Sequence, residues 1–204
     1  MITSFLQLLK KNYEDNLDEN ANNYIKYAMD GAKRLDLMIN DLLEFSLIGN
    51  QKRELKYLNS QKIVELVLLN LKPLINDTNA IITHDQLPLI YANDQQMVQV
   101  FQNLIGNAIK YRDKENPEIH ISAEKLDNEY IFAVKDNGIG IDQQHLERIF
   151  TIFQRLHTQE EYGGTGIGLA ISQKIIEQHR GKIWAESEPG KGTTFYFTIP
   201  NRNY

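Results

Sequence analysis

Four side chains in the run QNLIGNAIKY have the types and spacing to act together: Asn103, Asn107, Lys110 and Tyr111 follow at steps of four, three and one. On a helix those steps put both asparagines and the lysine on one stripe. Downstream, DNGIG spans Asp136 to Gly140 and GGTGIGLAI spans Gly163 to Ile171. Both runs set glycines where a backbone turns sharply or comes close to a ligand. Singly, each has a plainer reading: a solvated helix face, a common Asp-Asn-Gly turn, a glycine loop capping an apolar helix. Jointly they supply what a magnesium-chelated nucleotide needs. An amide carbonyl is a hard oxygen ligand that adds no negative charge, and an ammonium is a point charge for phosphate. A carboxylate accepts from the exocyclic amine of adenine and repels the carbonyl of guanine. Backbone amides at a helix start attract phosphate oxygens.

Positioning these residues requires a scaffold, and the chain before and after them has regular patterning. Met1 to Tyr13 opens with Ile2, Leu6, Leu9 and Tyr13 at helical steps, and the polar stretch from Asn12 to Asn23 reads as a turn between two helices. From there Ile25, Ala28, Ala32, Leu35, Ile39, Leu42 and Ser46 alternate steps of three and four, the seam of a coiled coil or bundle. Two antiparallel helices cannot bury such seams alone, so the pattern predicts a hairpin that dimerises into a four-helix bundle. The alternative is a hairpin folded back on its own globular domain.

The pattern lapses from Ser46 to Arg53, around Gly49-Asn50, which places a boundary between domains 1–49 and 50–204. Beyond it the expectation is a short strand at Glu54 to Asn59 and a helix from Ser60, as N-cap, to about Asn76. Strands at Ala80 to His84 and Leu89 to Ala92 precede the helix bearing the first cluster, capped by Asn93. Glu118 to Leu126 and Glu129 to Asp136 read as a hairpin, with Ile119, Ile121 and Ala123 facing Ile131, Ala133 and Lys135. A short helix near Gln143 to Phe150, a loop, a helix from about Gly166 to Arg180 and a hairpin of Lys182 to Ser187 with Thr193 to Pro200 complete the chain. The order mixes helices with mostly antiparallel strands, so the class is α+β: the helical hairpin is followed by an α/β sandwich with helices on one face of a mixed sheet. It is not doubly wound, since no strand is followed by G-x-G-x-x-G and no G-x-x-x-x-G-K-[ST] occurs.

The three runs, in this order, resemble the N, G1 and G2 boxes of the sensor histidine kinases, in the superfamily of gyrase, Hsp90 and MutL. The phrase FQRLHTQEEYGGTGIGLAI is most similar to the phytochrome-associated group. The resemblance implies a Bergerat-type ATP-binding domain with ATP and Mg2+ as ligands. It implies that Asn107 holds the metal with support from Asn103, that Lys110 meets phosphate, and that Asp136 selects adenine. Gly138 and Gly140 would leave room for the base, and Gly164, Thr165, Gly166, Gly168 and Leu169 would line the phosphate side. Tyr111 lies near the purine or in the packed core. Thr151 to Gly163 would form a lid, in which Arg155 reaches the γ-phosphate or pairs on the surface.

The family transfers the γ-phosphoryl group of ATP to a histidine on the first bundle helix, and from there to a response-regulator aspartate. Here the histidines are His84, His120, His145, His157 and His179, none on either bundle helix. The expectation is that the acceptor lies about two turns before the first residue, since SFLQLL resembles the sequence that follows it, in a parent protein that also carries a sensor domain; the alternative is a protein that never had the acceptor. This polypeptide would then bind Mg-ATP without phosphorylating itself. Two other readings remain: a noncatalytic dimeric module whose shape ATP fixes, and an ATPase of gyrase type. The second is disfavoured because Gln102 and Asn103 stand where such enzymes need a carboxylate base.

With a net charge of -5 over 204 residues there is no electrostatic case for nucleic acid. The absence of cysteine is compatible with a reducing cytoplasm, and no apolar run reaches the roughly 18 residues of a membrane helix. The expected location is therefore cytoplasmic, with any membrane anchor elsewhere in the parent.

Overall fold

The computed structural model describes residues 2–13, 17–48, 54–113, 116–154 and 164–201. The chain divides into two compact units, Met1–Glu44 and Phe45–Tyr204. The first holds helix α1 (Ile2–Tyr13) and most of helix α2 (Glu19–Leu47), both as the apolar spacing predicts. Asp18 caps the start of α2, its Oδ1 accepting from the amide of Ala21 at 2.7 Å.

The second unit begins with the last turn of α2. Lys174 Nζ donates to the carbonyl of Phe45 at 2.6 Å and stands 4.1 Å from the centre of its ring, a cation serving carbonyls at a helix C-terminus. Strand β1 (Lys56–Asn59) leads into helices α3 (Ser60–Asn70) and α4 (Lys72–Thr78). The expected single helix is interrupted at Leu71, because Pro73 in the first turn of α4 has no N–H to continue the ladder. Its N-cap is Asn59 and not Ser60. Asn59 Oδ1 accepts from the amides of Gln61 and Lys62, while the buried Ser60 hydroxyl donates to Pro88 O at 2.6 Å.

Strands β2 (Ile81–His84) and β3 (Leu89–Ala92) precede helix α5 (Asp94–Lys110), capped by Asn93 as expected, with its side chain accepting from Gln96 N. Then come β4 (Glu118–Lys125), β5 (Glu129–Asp136), two single 3-10 turns at Gln143–His145 and Arg148–Phe150, α6 (Gly168–Gln178), β6 (Ile183–Glu188) and β7 (Gly192–Pro200). Two corrections follow from these bounds. The short helix near Gln143 is a pair of 3-10 turns, and α6 starts at Gly168 because Gly164 and Gly166 take φ of 127° and 76°, outside the helical region.

Strands β1 and β3 pair antiparallel, and a mixed five-stranded sheet runs β2-β4-β5-β7-β6 with only β2 and β4 parallel. Helices α5 and α6 pack on one face of it. Met97, Phe101, Leu104, Ile105 and Ala108 form the buried stripe of α5. Phe101 meets Phe132 and Phe197 edge-on, at 5.8 Å and 5.4 Å, while those two stack at 4.9 Å.

The hairpin face differs from expectation by one residue. Ile119 pairs with Asp136, Ile121 with Val134 and Ala123 with Phe132, so the buried stripe of β5 is Phe132, Val134 and Asp136, not Ile131, Ala133 and Lys135. Side chains alternate with period two, and a shift of one residue exchanges the faces completely. The consequence is functional: it brings the Asp136 carboxylate to the helix side of the sheet.

Candidate nucleotide site

Asp136 ends β5 at the wall of a cleft of about 80 Å³. Its walls include Asn107 and Tyr111 from the end of α5, Gly140 and Ile141 from the loop after β5, Leu169 from α6 and Thr193 from β7. Four sequence-designated residues beside Asp136 thus meet in one cavity: Asn107, Tyr111, Gly140 and Leu169.

Among the described residues the carboxylate is held on one side only. Asp136 Oδ1 accepts from the amides of Gly138 at 2.8 Å and Thr193 at 3.0 Å, which leaves Oδ2 for a ligand. Burial raises the Asp136 pKa to about 6, and the two amide hydrogen bonds pull it part of the way back. The group is therefore ionised at neutral pH in a largely apolar cleft, and a donor on a ligand would relieve that cost.

The glycines after Asp136 allow close backbone approaches. A Cβ on Gly138 would collide with the carbonyl of Tyr111, and one on Gly140, at φ 71°, with the carbonyl of Glu188. That close approach is fixed by hydrogen bonds from Ile139 N to Tyr111 O at 3.0 Å and from Gly190 N to Ile139 O at 2.8 Å. The loop is thereby fastened to α5 on one side and to the β6-β7 turn on the other.

On α5, the Asn107 side chain lines the cleft and has no hydrogen-bond partner among the described residues. A neutral oxygen left unspent there fits a hard cation such as magnesium. Lys110 Nζ donates to the Tyr111 hydroxyl at 3.0 Å and lies where a Cβ on Gly164 would stand. Asn103 is placed differently: its Nδ2 donates to Gly168 O at 3.0 Å and Ser172 Oγ at 3.3 Å, away from the cleft walls.

Helix α6 opens beside the cleft with no side-chain cap at Ile167 among the described residues, so its first amides can serve a ligand. Ahead of it, Phe153 N donates to Gly166 O at 3.1 Å, joining the two ends of the intervening segment. Gly164, Thr165 and Gly166 lie on that approach to α6, and Gly168 is its first residue. Arg155 and His157 lie outside the described residues.

Sequence reasoning missed Thr193, Phe195, Ile141, Ile149 and Gln154 in the cleft walls. The glycine turn ahead of Thr193 was a usable signal, since it returns a backbone amide to Asp136. The apolar wall residues carry no mark that separates them from core.

Comparison with known proteins bears on this arrangement. The profile described as histidine kinase-, DNA gyrase B-, and HSP90-like ATPase matches residues 92–203, more than half of the chain. The chain belongs to that family. Beyond the ATPase match, it is 51% identical over 199 residues to cyanobacterial phytochrome A of Nostoc sp., covering 98% of this chain and 26% of that protein. Full-length ShkA in complex with AMPPNP superposes with a TM-score of 0.74 at 24% identity, over 98% of this chain and 42% of that one, a likeness of fold. Histidine kinase ThkA in complex with the response regulator TrrA gives a TM-score of 0.70 at 26% identity, over 97% and 57%. The chain spans about a quarter of the length of the phytochromes it matches. The three runs read in the sequence lie within the matched residues, and the mixed sheet with helices on one face is the fold of a histidine kinase-type ATPase. Among the described residues, no helix is long and apolar enough to cross a membrane.

Proposed function

We propose that this chain is the ATP-binding and dimerisation core of a sensor histidine kinase, with a dimerisation hairpin at 1–49 and an ATP-binding domain at 50–204. The single observation that carries the adenine assignment is the half-used carboxylate of Asp136. Its Oδ1 is committed to two backbone amides, and Oδ2 is open to an exocyclic amine in a cleft that also presents Asn107.

In this proposal Asp136 orients the base, Tyr111 and Ile141 flank it, and the first amides of α6 with Lys110 and the glycine approach receive the phosphates. Asn107 holds magnesium, which supplies charge neutralisation for the phosphate oxygens. The protein's share of phosphoryl transfer is positioning and exclusion of water.

The acceptor is a histidine outside this chain. His179 is buried at the C-terminus of α6, and His84 and His120 belong to neighbouring strands of the sheet. A response-regulator aspartate receives the phosphoryl group next, and a sensor domain in the cytoplasmic parent protein sets the rate. Homodimerisation is supported by the apolar residues left open on the first unit, among them Leu35 at 58% exposure, Ile39 at 56% and Leu42 at 45%.

Calorimetry with Mg-ATP and Mg-GTP tests the core of the proposal. Binding of ATP in preference to GTP, lost in Asp136→Asn, is expected; equal binding of both nucleotides would overturn the adenine assignment.

A further inference from the structure

Asn103 and Ser172 make a polar contact between α5 and α6 that the cleft itself does not use. Asn103 Nδ2 donates to Gly168 O at 3.0 Å and reaches Ser172 Oγ at 3.3 Å, and Ser172 Oγ donates to the same Gly168 O at 3.0 Å. Ser172 is fully buried. Gly168 is the first residue of α6, and a Cβ there would meet the Asn103 amide at 3.4 Å. Two side chains thus converge on one carbonyl, at the end of α6 that no side chain caps among the described residues.

We propose that Asn103 and Ser172 are positioning residues that lock the N-terminus of α6 to the helix bearing Asn107, and that Asn103 is not a metal ligand. This rests on the nucleotide reading above. Two observations carry it. Asn103 spends its amide nitrogen on α6 and lies outside the cleft walls, whereas Asn107, one turn on, lines the cleft with its side chain unspent. The bonded carbonyl also belongs to the turn whose orphan amides would face phosphate, so a tilt of that turn misaims every one of them. A glycine start, with no side chain of its own to pack, depends on such an outside fastening.

A positioning role makes a specific pattern. Loss of the contact should weaken ligands that reach α6 and spare those that stop at the base. It should also leave the metal requirement alone, because Asn107 is untouched.

The test uses the whole chain with AMP-PNP and AMP as probes, titrated at several magnesium concentrations. Asn103→Ala is expected to weaken Mg-AMP-PNP about tenfold, with AMP affinity within twofold and half-saturating magnesium unchanged. Ser172→Ala, a change too small to unfold the domain, is expected to weaken Mg-AMP-PNP two- to fivefold. The double variant should be no worse than Asn103→Ala alone, since both side chains act on one carbonyl. The inference is overturned by a several-fold rise in half-saturating magnesium for Asn103→Ala, by wild-type affinity in Ser172→Ala, or by losses that multiply. Failure of the unaltered chain to bind either probe would instead remove the nucleotide reading itself.

Discussion

The backbone amide of Asn93 donates to Nε2 of His179 at 3.1 Å, across 86 residues of sequence. The other ring nitrogen, Nδ1, lies 2.8 Å from Ile175 O. An acceptor at Nε2 places the proton on Nδ1, so the ring is neutral and bridges the cap of α5 to the last turn of α6. His179→Leu keeps the bulk and removes the acceptor from a partly buried amide. It should cost about 1–3 kcal/mol, read as a lower urea midpoint with an unchanged slope.

Burial pushes the Asp136 carboxyl up to about 6, and the proposed bond to adenine needs its ionised form. Acidification through pH 6 should therefore weaken nucleotide binding, by about tenfold at pH 5 relative to pH 7.5. For the unliganded domain the sign is opposite. The folded pKa lies above the ordinary carboxylate value, so this group binds a proton more readily folded than unfolded, and its contribution to stability improves as pH falls from 7 toward 4. Asp136→Asn should flatten both dependences, checked by calorimetry and by denaturation at matched pH.

The same substitution should change base preference. The asparagine carbonyl can still accept from Gly138 and Thr193, but its amide now faces the adenine amine donor to donor. ATP affinity should fall about a hundredfold, given the roughly 1–3 kcal/mol of an unpaired buried group and the loss of a charged acceptor. The GTP-to-ATP ratio should rise, because the amide can donate to the guanine carbonyl.

Gly140→Ala forces a side chain onto φ 71° and against the carbonyl of Glu188. The loop would have to leave the β6-β7 turn, breaking the bond from Gly190 N to Ile139 O. A loss of about 2–4 kcal/mol is expected, from backbone strain and steric overlap together. Thermal unfolding measures it.

Ile39→Glu with Leu42→Glu sets two charges in the seam of α2. Each buried aliphatic side chain is worth about 1.5–3 kcal/mol, so the dimer constant should weaken at least a hundredfold. Sedimentation at micromolar concentration should show monomers, while Mg-ATP affinity, which resides in the other unit, stays within twofold.

Helix α5 is legible in the sequence because its capping residue, apolar stripe and polar stripe agree. The face of β5 is not. Tyr130 to Val134 is apolar at both parities, so alternation alone cannot choose; the turn bond from Leu126 N to Glu129 O at 2.8 Å and the pairing of Ile119 with Asp136 decide it. At Asn59-Ser60 two adjacent residues can each cap a helix, and the choice falls to a distant carbonyl at Pro88 that takes the serine. Asp136 was legible as a candidate site residue, whereas its anchor at Thr193 comes from a strand 57 residues away. Local chemistry announces a ligand group, but not the neighbour that aims it.

Strand β2 pairs parallel to β4, from Ile81 opposite Glu118 to His84 opposite Ile121; β2 precedes the residue at which the family profile takes hold, and β3 ends on it. A piece cut at residue 92 would retain all three signature runs yet strip β4 of its neighbour, baring a row of amides and carbonyls to other molecules. Such a truncation should precipitate. The minimum that identifies this domain is shorter than the minimum that keeps it in solution.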